Sequence, residues 1–387
     1  MDIIEKGIES SWTTWGKMRG ENLVLGDISY LKSENEKGFE RIFSVNIQDD
    51  QAFRIQQMIA FIRAGIMPDS LLITPNTVPA NLAEILSHKG FSINDADPCM
   101  ILYLDVYEKS VSRLSDFTIS SVTDKAQLSE WLNIVNEALF GCELVTLEQF
   151  NDVLLLDNTQ FYIGAANGKP VTACMTIVDG DTSVLEMVAT LKAYRKKGFA
   201  SAVIDKALTD LQQKGIKTIS LRAEADGVSV YRNLGFKESF KRVVATCDMD
   251  TVHRKSCPCR IEKDKIEKAQ RIFHETNGVE EFVEKMSEQG IIGRKIWYEP
   301  QENAIYIVKM YACDCGGGCP ANHTLIGQRC HCVYVNHLSV GVPISYCKCA
   351  AHFYEPMFFP LFGEKIQIDA IQTVLSGADE CICKIKL

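Results

Sequence analysis

Hydrophobic and polar residues follow their most regular pattern between residues 117 and 250, where they predict alternating helices and strands. Apolar residues recur at helical spacing over residues 126–139 and 198–214. The turn formed by Asn167 and Gly168 joins two strand-like runs and is typical of a β-hairpin. We therefore expect an α/β module with a mixed sheet. Its strands are predicted at residues 161–166, 171–178, 183–190 and 218–223.

A weaker pattern repeats between the first 110 residues and this module. Residues 86–91 and 231–236 each end in Gly-Phe, and a strand-like run follows in both cases. Glycine tolerates the left-handed backbone that closes a helix, so each copy predicts a helix, a tight stop and a strand. The repeat favours two copies of one α/β module, over residues 1–110 and 117–250.

Composition and charge exclude several classes of protein. The chain has 387 residues, of which 46% are hydrophobic and 24% are charged, an ordinary globular profile. Its net charge is −9 and it has no long basic run, so we expect neither a nucleic-acid binder nor an anionic-membrane binder. No apolar run approaches the ~18 residues of a membrane span, and the first residues lack the pattern of a secretory signal. We therefore expect a cytoplasmic protein.

The 15 cysteines are distributed unevenly along the chain. Four precede residue 250 and eleven follow it, which predicts a separate cysteine-rich domain over residues 257–387. In a reducing compartment, clustered thiols more often serve metal or redox chemistry than a disulfide framework.

Five Cys-x-Cys pairs suggest what this domain could bind. On a strand, both thiols of such a pair point to one face, and two facing pairs could give Zn²⁺ a tetrahedral site. Three interpretations stay open: a structural metal site, reactive or redox-active thiols, and inert buried or oxidised cysteines. The pairs are Cys257/Cys259, Cys313/Cys315, Cys330/Cys332, Cys347/Cys349 and Cys381/Cys383.

A basic segment with a glycine lies between the strand ending at Thr190 and the helix starting near Gly198. Residues 194–200 read Tyr-Arg-Lys-Lys-Gly-Phe-Ala. Small residues let the backbone approach a ligand closely, and a helix N-terminus attracts anions through its free N–H groups and its dipole. We interpret the segment as a diphosphate site. The alternative is an ordinary helix start with solvated lysines.

This segment and the Tyr-x-x-x-Gly-Phe sequence at residues 231–236 resemble the GNAT superfamily of acyl-CoA-dependent N-acyltransferases. The resemblance covers residues 117–250 and rests on Arg-x-x-Gly-x-Ala at residues 195–200 and on the order and spacing of the two motifs. It implies acetyl-CoA as donor and a small-molecule or peptide amine as acceptor. The backbone of Val188, Ala189 and Thr190 would pair with the pantetheine arm. The residues implied to hold the diphosphate are Arg195, Lys196, Lys197, Gly198, Phe199, Ala200 and Ser201.

Attack of an amine on a thioester needs a base for the amine and an acid for the departing thiolate. The resemblance implies that Tyr231 is the acid; the alternative is a tyrosine of the core. Glu186 shares a predicted strand with Val188 and Thr190, and strict alternation would place all three on one face. We therefore expect Glu186 to act as the base, directly or through water; the alternative is an ion pair.

Three positions depart from the family's pattern. Glu224 stands where many members carry Asn, Gly227 where Ala is common and Lys192 where Pro is common. We expect Glu224 to weaken or reshape donor binding. The first module has no Arg-x-x-Gly-x-Ala segment, so we expect one donor site per chain, with the first module completing the acceptor cleft.

The tail resembles the end of 4-vinyl-reductase-type small-molecule-binding domains and of domains related to 2-amino-thiazoline-carboxylate hydrolases. The shared features are a cysteine before a helix, a glycine-anchored turn and a last strand with a cysteine. The resemblance implies a sensor-like domain that sometimes bears zinc. Its most transferable metal ligands would be Cys347, Cys349 and Cys381.

The sequence thus predicts an amine N-acetyltransferase of the α/β (α+β) class. Two GNAT-like mixed-sheet modules would be followed by a cysteine-rich α+β domain. One alternative is a protein that senses CoA, a small molecule or a metal with little turnover. Another is a thiol-dependent hydrolase activity in the tail.

Overall fold

The computed structural model describes residues 3–19, 22–32, 40–108, 114–248, 251–252, 260–310, 326–332, 334–338 and 341–387. Its contacts divide the chain into two compact units. Unit one consists of Met1–Gln48, Ser70–Ala83 and Ile93–Thr246. Unit two consists of Asp49–Asp69, Glu84–Ser92 and Cys247–Leu387. Two short pieces of the N-terminal region are thus grouped with the tail, a grouping that the sequence pattern did not predict.

The helices and strands follow one another in a mixed order along the chain. The helices are α1 (Ile3–Arg19), α2 (Gln51–Arg63), α3 (Leu82–His88), α4 (Lys125–Val135), α5 (Leu147–Leu154), α6 (Phe199–Gln213), α7 (Val228–Asn233), α8 (Lys263–His274), α9 (Val279–Glu288), α10 (Ile326–Arg329) and α11 (Cys349–Phe362). The strands are β1 (Asn22–Leu25), β2 (Ile28–Leu31), β3 (Arg41–Val45), β4 (Ser70–Ile73), β5 (Phe91–Tyr103), β6 (Phe117–Ser121), β7 (Thr159–Ala166), β8 (Lys169–Asp179), β9 (Thr182–Thr190), β10 (Thr218–Arg222), β11 (Lys237–Cys247), β12 (Lys295–Glu299), β13 (Ala304–Val308), β14 (Gln367–Gln372) and β15 (Ile382–Lys386).

Unit one is built on a mixed sheet of eleven strands in the order β1-β2-β3-β4-β11-β5-β10-β9-β8-β7-β6. Its parallel pairs are β3 with β4 and β9 with β10, whereas the other registers found are antiparallel. The elements β3-α2-β4-α3-β5 and β9-α6-β10-α7-β11 follow the same order along the chain. The last strand of each series pairs with the other series, because β5 lies beside β10 and β11 lies beside β4. The predicted α/β class with a mixed sheet is confirmed.

The two faces of this sheet carry separate apolar clusters. On one face, Trp15 of α1 and Trp131 of α4 pack with Val184 of β9. On the other face, Leu208 of α6 packs with Leu185 of β9 and other residues. The indole N–H of the fully buried Trp131 donates a 3.0 Å hydrogen bond to the carbonyl of Cys174, so the large side chain leaves no polar atom unpaired.

A β-bulge interrupts β9 in front of its carboxyl end. The register against β8 shifts between Ala173 and Met175, and Met187 has a φ of 52°. A bulge inserts one extra residue and changes which face the following side chains take. Strict alternation across β9, on which the placement of Glu186 was predicted, therefore fails at this point.

Unit two has an antiparallel four-stranded sheet in the order β12-β13-β15-β14. The helices α8, α9 and α11 cover it through a core that includes Phe282, Tyr354 and Phe358. A smaller cluster joins Ala64, which follows α2, to Tyr346 and to several cysteines. Within the ranges described above, no helix combines the length and the apolar character that crossing a membrane would require.

Candidate functional site

The segment that joins β9 to α6 has the geometry of an anion site. Gly198 caps α6 with a left-handed φ of 83°, and Lys196 has a φ of 61°. Ala202 donates the first intrahelical hydrogen bond, 3.0 Å long, to the carbonyl of Gly198. The N–H groups of residues 199–201 precede this bond, so they have no partner within the helix and point out of its first turn. Together with the helix dipole they attract negative charge.

Arg195 fixes the start of this segment rather than extending freely into water. Its Nε donates to the carbonyl of Thr190 and its Nη2 donates to the carbonyl of Ala138, both at 3.0 Å. The side chain thus ties the end of β9 to the π-helical turn that follows α4. Since its charge remains exposed, it contributes to the positive potential over the N-terminus of α6.

Aromatic rings support the basic side chains of the segment. The ammonium group of Lys197 lies 5.2 Å from the ring centroid of Tyr194, and that of Lys169 lies 5.8 Å from it. Phe199 stacks on Phe117 with centroids 4.7 Å apart. These contacts hold two cations and the first helical residue at one end of the sheet. The structure therefore gathers the predicted residues 195–201 into one basic, solvent-accessible surface.

Tyr231 lies in α7, and only 8% of its surface is exposed. Burial raises the pKa of its hydroxyl well above the ordinary value, and the nearby Cys174, Glu186 and Glu224 raise it further. The hydroxyl therefore keeps its proton at neutral pH. A Cβ on Gly227 would lie 3.0 Å from the Tyr231 ring, so the glycine at this position makes room for the ring.

Glu186 lies on the face of β9 that α1 covers. Its carboxylate accepts a 2.7 Å hydrogen bond from the hydroxyl of Ser11. Val188 instead packs with the cluster on the α6 face, because the bulge at Met187 separates the two positions. The prediction that Glu186 shares a face with Val188 and Thr190 is therefore wrong for Glu186. The charge of Glu186 nevertheless raises the pKa of Tyr231, so the two candidate catalytic groups are electrostatic neighbours.

Sequence reasoning missed a group of arginines close to Glu186. Arg242 of β11 is buried, and its electrostatic neighbours are Arg222, Cys99, Arg41 and Glu186. These residues come from different strands, which only the exchange of β5 and β11 brings together. No local motif could have signalled this arrangement.

Glu224 lies near this group of arginines, but its carboxylate is exposed rather than buried. Its side chain is 69% exposed, and it lies 4.0 Å from the guanidinium of Arg222. Its backbone carbonyl accepts a 2.8 Å hydrogen bond from the N–H of Gly227, which shapes the turn before α7. Its effect on donor binding stays a prediction.

The predicted zinc ligands of the tail do not form a metal site among the described residues. Cys347 lies in the 3₁₀ segment Ile344–Lys348 and Cys349 begins α11, so this pair is not on a strand and its thiols need not share a face. Cys381 accepts a hydrogen bond from the N–H of Val374. Across the described ranges, no group of three or more His, Cys, Asp or Glu residues could hold a metal ion. Two of the predicted pairs, Cys257/Cys259 and Cys313/Cys315, lie outside the described residues.

Several thiols of the tail nevertheless share one apolar cluster. Cys330, Cys332, Cys347 and Cys381 pack around Tyr346. Burial raises the pKa of Cys330 to about 12 and that of Cys347 to about 11. These two groups are therefore neutral thiols near pH 7, whereas nucleophilic cysteines are thiolates.

A cavity of about 590 Å³ lies in another part of unit one. It opens beside the carboxyl ends of β3 and β4, and it touches none of the predicted donor or catalytic residues. Its lining includes the carboxylates of Glu5 and Glu9 and the ring of Phe43. The acetyl-group chemistry predicted from the sequence therefore does not map onto this cavity.

Comparisons with known proteins agree with the geometry of the β9–α6 segment. Residues 126–236 match the model of the Acetyltransferase (GNAT) family. The uncharacterized protein YyaT of Bacillus subtilis (strain 168) is 24% identical over 123 residues, which cover 31% of this chain and 83% of YyaT. A GCN5-related N-acetyltransferase from Kribbella flavida has a similar fold, with a TM-score of 0.52 and 16% identity over 64% of this chain and 96% of that one. Residues 126–236, which include both the basic segment and Tyr231, are therefore similar to the GNAT acetyltransferase family.

Proposed function

We propose that the protein transfers the acetyl group of acetyl-CoA to an amine. The observation that carries the proposal is the basic segment 195–201 at the N-terminus of α6, within residues that match the acetyltransferase family. Free N–H groups, a left-handed glycine and three cations suit the diphosphate of CoA. The pantetheine arm would then run along the backbone of Val188, Ala189 and Thr190, towards Glu186 and Tyr231.

The reaction follows from the properties of the two candidate catalytic groups. The lone pair of the amine attacks the thioester carbon, the C–S bond breaks, and the amine loses a proton to Glu186. Tyr231 donates a hydrogen bond and then a proton to the departing sulfur, and solvent exchange returns the proton from Glu186 to the phenolate. The products are an N-acetylated amine and free CoA with its thiol protonated.

The two groups are coupled in a way that helps the second step. The negative charge of Glu186 raises the pKa of Tyr231. When Glu186 accepts the proton of the amine, this charge disappears and Tyr231 becomes a stronger acid as the thiolate leaves. The acceptor is a small-molecule or peptide amine. The described cysteines are free thiols, which is compatible with a reducing, cytoplasmic location.

Two measurements on the purified full chain test the proposal. Calorimetric titration with acetyl-CoA should give one donor site per chain. A thiol-reactive dye should then report release of free CoA when amines are added, in proportion to the N-acetylated product found by mass spectrometry. Absence of acetyl-CoA binding would contradict the proposal. Tight binding without CoA release for any amine would favour a sensor of CoA instead.

A further inference from the structure

The side chain of Arg242 is buried, and it forms no ion pair with the described residues. It is 7% exposed, and its Nε atom is shielded from solvent with no hydrogen-bond partner among the described residues. No carboxylate in the described part of the chain lies within ion-pair distance of it. Burial of an isolated charge is costly unless an opposite charge and hydrogen bonds compensate it. The position therefore calls for an anion that is not part of the described protein.

Arg242 lies on the sheet face that also carries Glu186. Val244, two residues later on β11, packs with the cluster that includes Trp15 of α1. Because side chains two apart on a strand share a face, Arg242 faces the same side as Val244. Glu186 faces this side as well, since its carboxylate is bonded to Ser11 of α1.

Two further arginines converge on the same place. Arg222 is paired in register with Cys99 of β5, and its neighbour Leu221 packs on the opposite face. Arg41 of β3 lies over the ring of Trp12, 5.9 Å from its centroid. Both are electrostatic neighbours of Arg242. The end of the sheet beside Glu186 thus holds three guanidinium groups.

These charges are not balanced equally. Arg222 lies 4.0 Å from both Asp97 and Glu224 and is 43% exposed, so water and carboxylates partly compensate it. Arg242 is shielded from water, and the charge of Glu186 raises its pKa less than burial and Arg222 lower it. Burial, followed by the charge of Arg222, lowers the pKa of Arg242 to about 10, so its guanidinium is still a cation near pH 7.

We propose that the acceptor is an amine that also carries a carboxylate, as an amino acid does, and that Arg242 binds this carboxylate with help from Arg222. The inference rests on the proposed function and narrows its substrate class. A guanidinium offers parallel N–H donors that match the two oxygens of a carboxylate. With the carboxylate held there, the amine of the same molecule can reach Glu186 on the same face.

The test compares carboxylates with their neutral amides. Release of CoA is measured for the twenty proteinogenic L-amino acids, and each one that reacts is compared with its amino acid amide, which keeps the amine. The acid should have a kcat/KM at least about tenfold higher than that of its amide. In Arg242→Met, which removes the charge and fills the volume, this ratio should fall to about one. The affinity for acetyl-CoA should remain within about twofold.

Controls separate a lost contact from a lost fold. Arg271→Met removes an exposed arginine of α8 and should keep the preference for the acid. Thermal unfolding should show Arg242→Met to be as stable as the parent protein or more stable, because an unpaired buried charge is replaced by an apolar side chain. The reacting acids should raise the unfolding temperature of the parent protein but not that of Arg242→Met.

Each outcome bears on one of the two proposals. Equal turnover of acid and amide, or a preference that survives in Arg242→Met, would overturn the role of Arg242. A stronger preference for O-phosphoethanolamine than for every amino acid would overturn the carboxylate in favour of a phosphate. Acids that stabilise the parent but not Arg242→Met, without any release of CoA, would support the anion site and contradict the acetyl transfer.

Discussion

The two parallel strand pairs of unit one share a backbone arrangement but lie beside side chains of opposite charge. In each pair, the chain runs from the first strand through a helix into the second strand, which is parallel to the first. The two series are β3-α2-β4 and β9-α6-β10. The carboxyl ends of β3 and β4 border a cavity of about 590 Å³, with the carboxylates of Glu5 and Glu9 in its lining. The carboxyl end of β9 leads into the exposed cations of residues 195–197.

The N-terminal residues of α2 and α6 also differ in charge. Asp50 caps α2 with a left-handed φ of 45°, whereas Gly198 caps α6 with a φ of 83°. A carboxylate at a helix start is stabilised by the dipole, and its negative charge repels a second anion there. The start of α6, with its glycine and basic residues, therefore suits an anion better than the start of α2 with its carboxylate.

A second difference concerns the residue that we propose as the general acid. The Tyr-x-x-x-Gly-Phe sequence that ends at Phe236 corresponds to Leu-x-x-x-Gly-Phe ending at Phe91, so that Leu86 stands where the other series has Tyr231. Leucine has no proton to give to a departing thiolate. We therefore expect chemistry at only one of the two pairs.

The substitution Gly198→Glu should give the largest loss of acetyl-CoA affinity, because it places a carboxylate at the start of α6 as Asp50 does at the start of α2. It adds a carboxylate at the anion site and forces a non-glycine residue into a left-handed conformation. The affinity for acetyl-CoA should fall at least about 1,000-fold, or about 4 kcal/mol, as measured by calorimetric titration. Gly215→Glu is the matched control, since Gly215 is also left-handed and follows the other end of α6. Equal losses in the two variants would contradict the site.

Tyr231→Phe tests whether Tyr231, in the series that includes β9 and β10, is the general acid. Removal of the phenolic proton should lower kcat about 100-fold, the range seen for loss of a general acid, with little change in acetyl-CoA affinity. Steady-state rates and donor titration on the same preparation check this. Tyr103→Phe, at an exposed tyrosine of β5, is the control and should keep full activity. An unchanged kcat in Tyr231→Phe would leave Tyr231 with a role in the core only.

The sequence predicts those features of unit one that depend on neighbouring residues in the chain. The hairpin of β7 and β8, the helix α6 and the segment 195–201 follow from periodicity, turn residues and one motif. The bulge at Met187 was not predictable, because apolar alternation in β9 carries no sign of an inserted residue. The arginine group around Arg242 was equally hidden, since it depends on which distant strand lies beside β11.

The cysteine pairs of the tail show the same limit. Two donors on one face require an extended backbone, and the zinc prediction assumed one. Cys347 and Cys349 instead lie in a 3₁₀ segment and at a helix start. A Cys-x-Cys spacing fixes the separation along the chain, but the local conformation decides whether its thiols converge.

Arg195→Ala should have an intermediate effect on the basic segment. The change removes two 3.0 Å hydrogen bonds to the carbonyls of Thr190 and Ala138 together with one exposed charge. Acetyl-CoA should bind about tenfold more weakly, or about 1.4 kcal/mol, by calorimetric titration, and the loss should shrink at high salt. Arg195→Lys keeps the charge but cannot form both bonds, so an intermediate affinity is expected. An affinity for Arg195→Ala equal to that of the parent would contradict this role.

We expect the smallest effect on acetyl-CoA binding from a change beside β3 and β4, where Glu5 and Glu9 line the cavity. This change tests how many acetyl-CoA molecules one chain binds. Glu9→Gln removes one carboxylate from the cavity at β3 and β4 without changing the size of the side chain. If the side chains at β9 and α6 alone select the diphosphate, calorimetric titration should still give one acetyl-CoA per chain with an affinity within about twofold of the parent. Glu148→Gln, at an exposed glutamate in the first turn of α5, matches the change in charge elsewhere. A second acetyl-CoA site in Glu9→Gln but not in Glu148→Gln would contradict this expectation. It would show that the carboxylate of Glu9 is what prevents acetyl-CoA from binding beside β3 and β4.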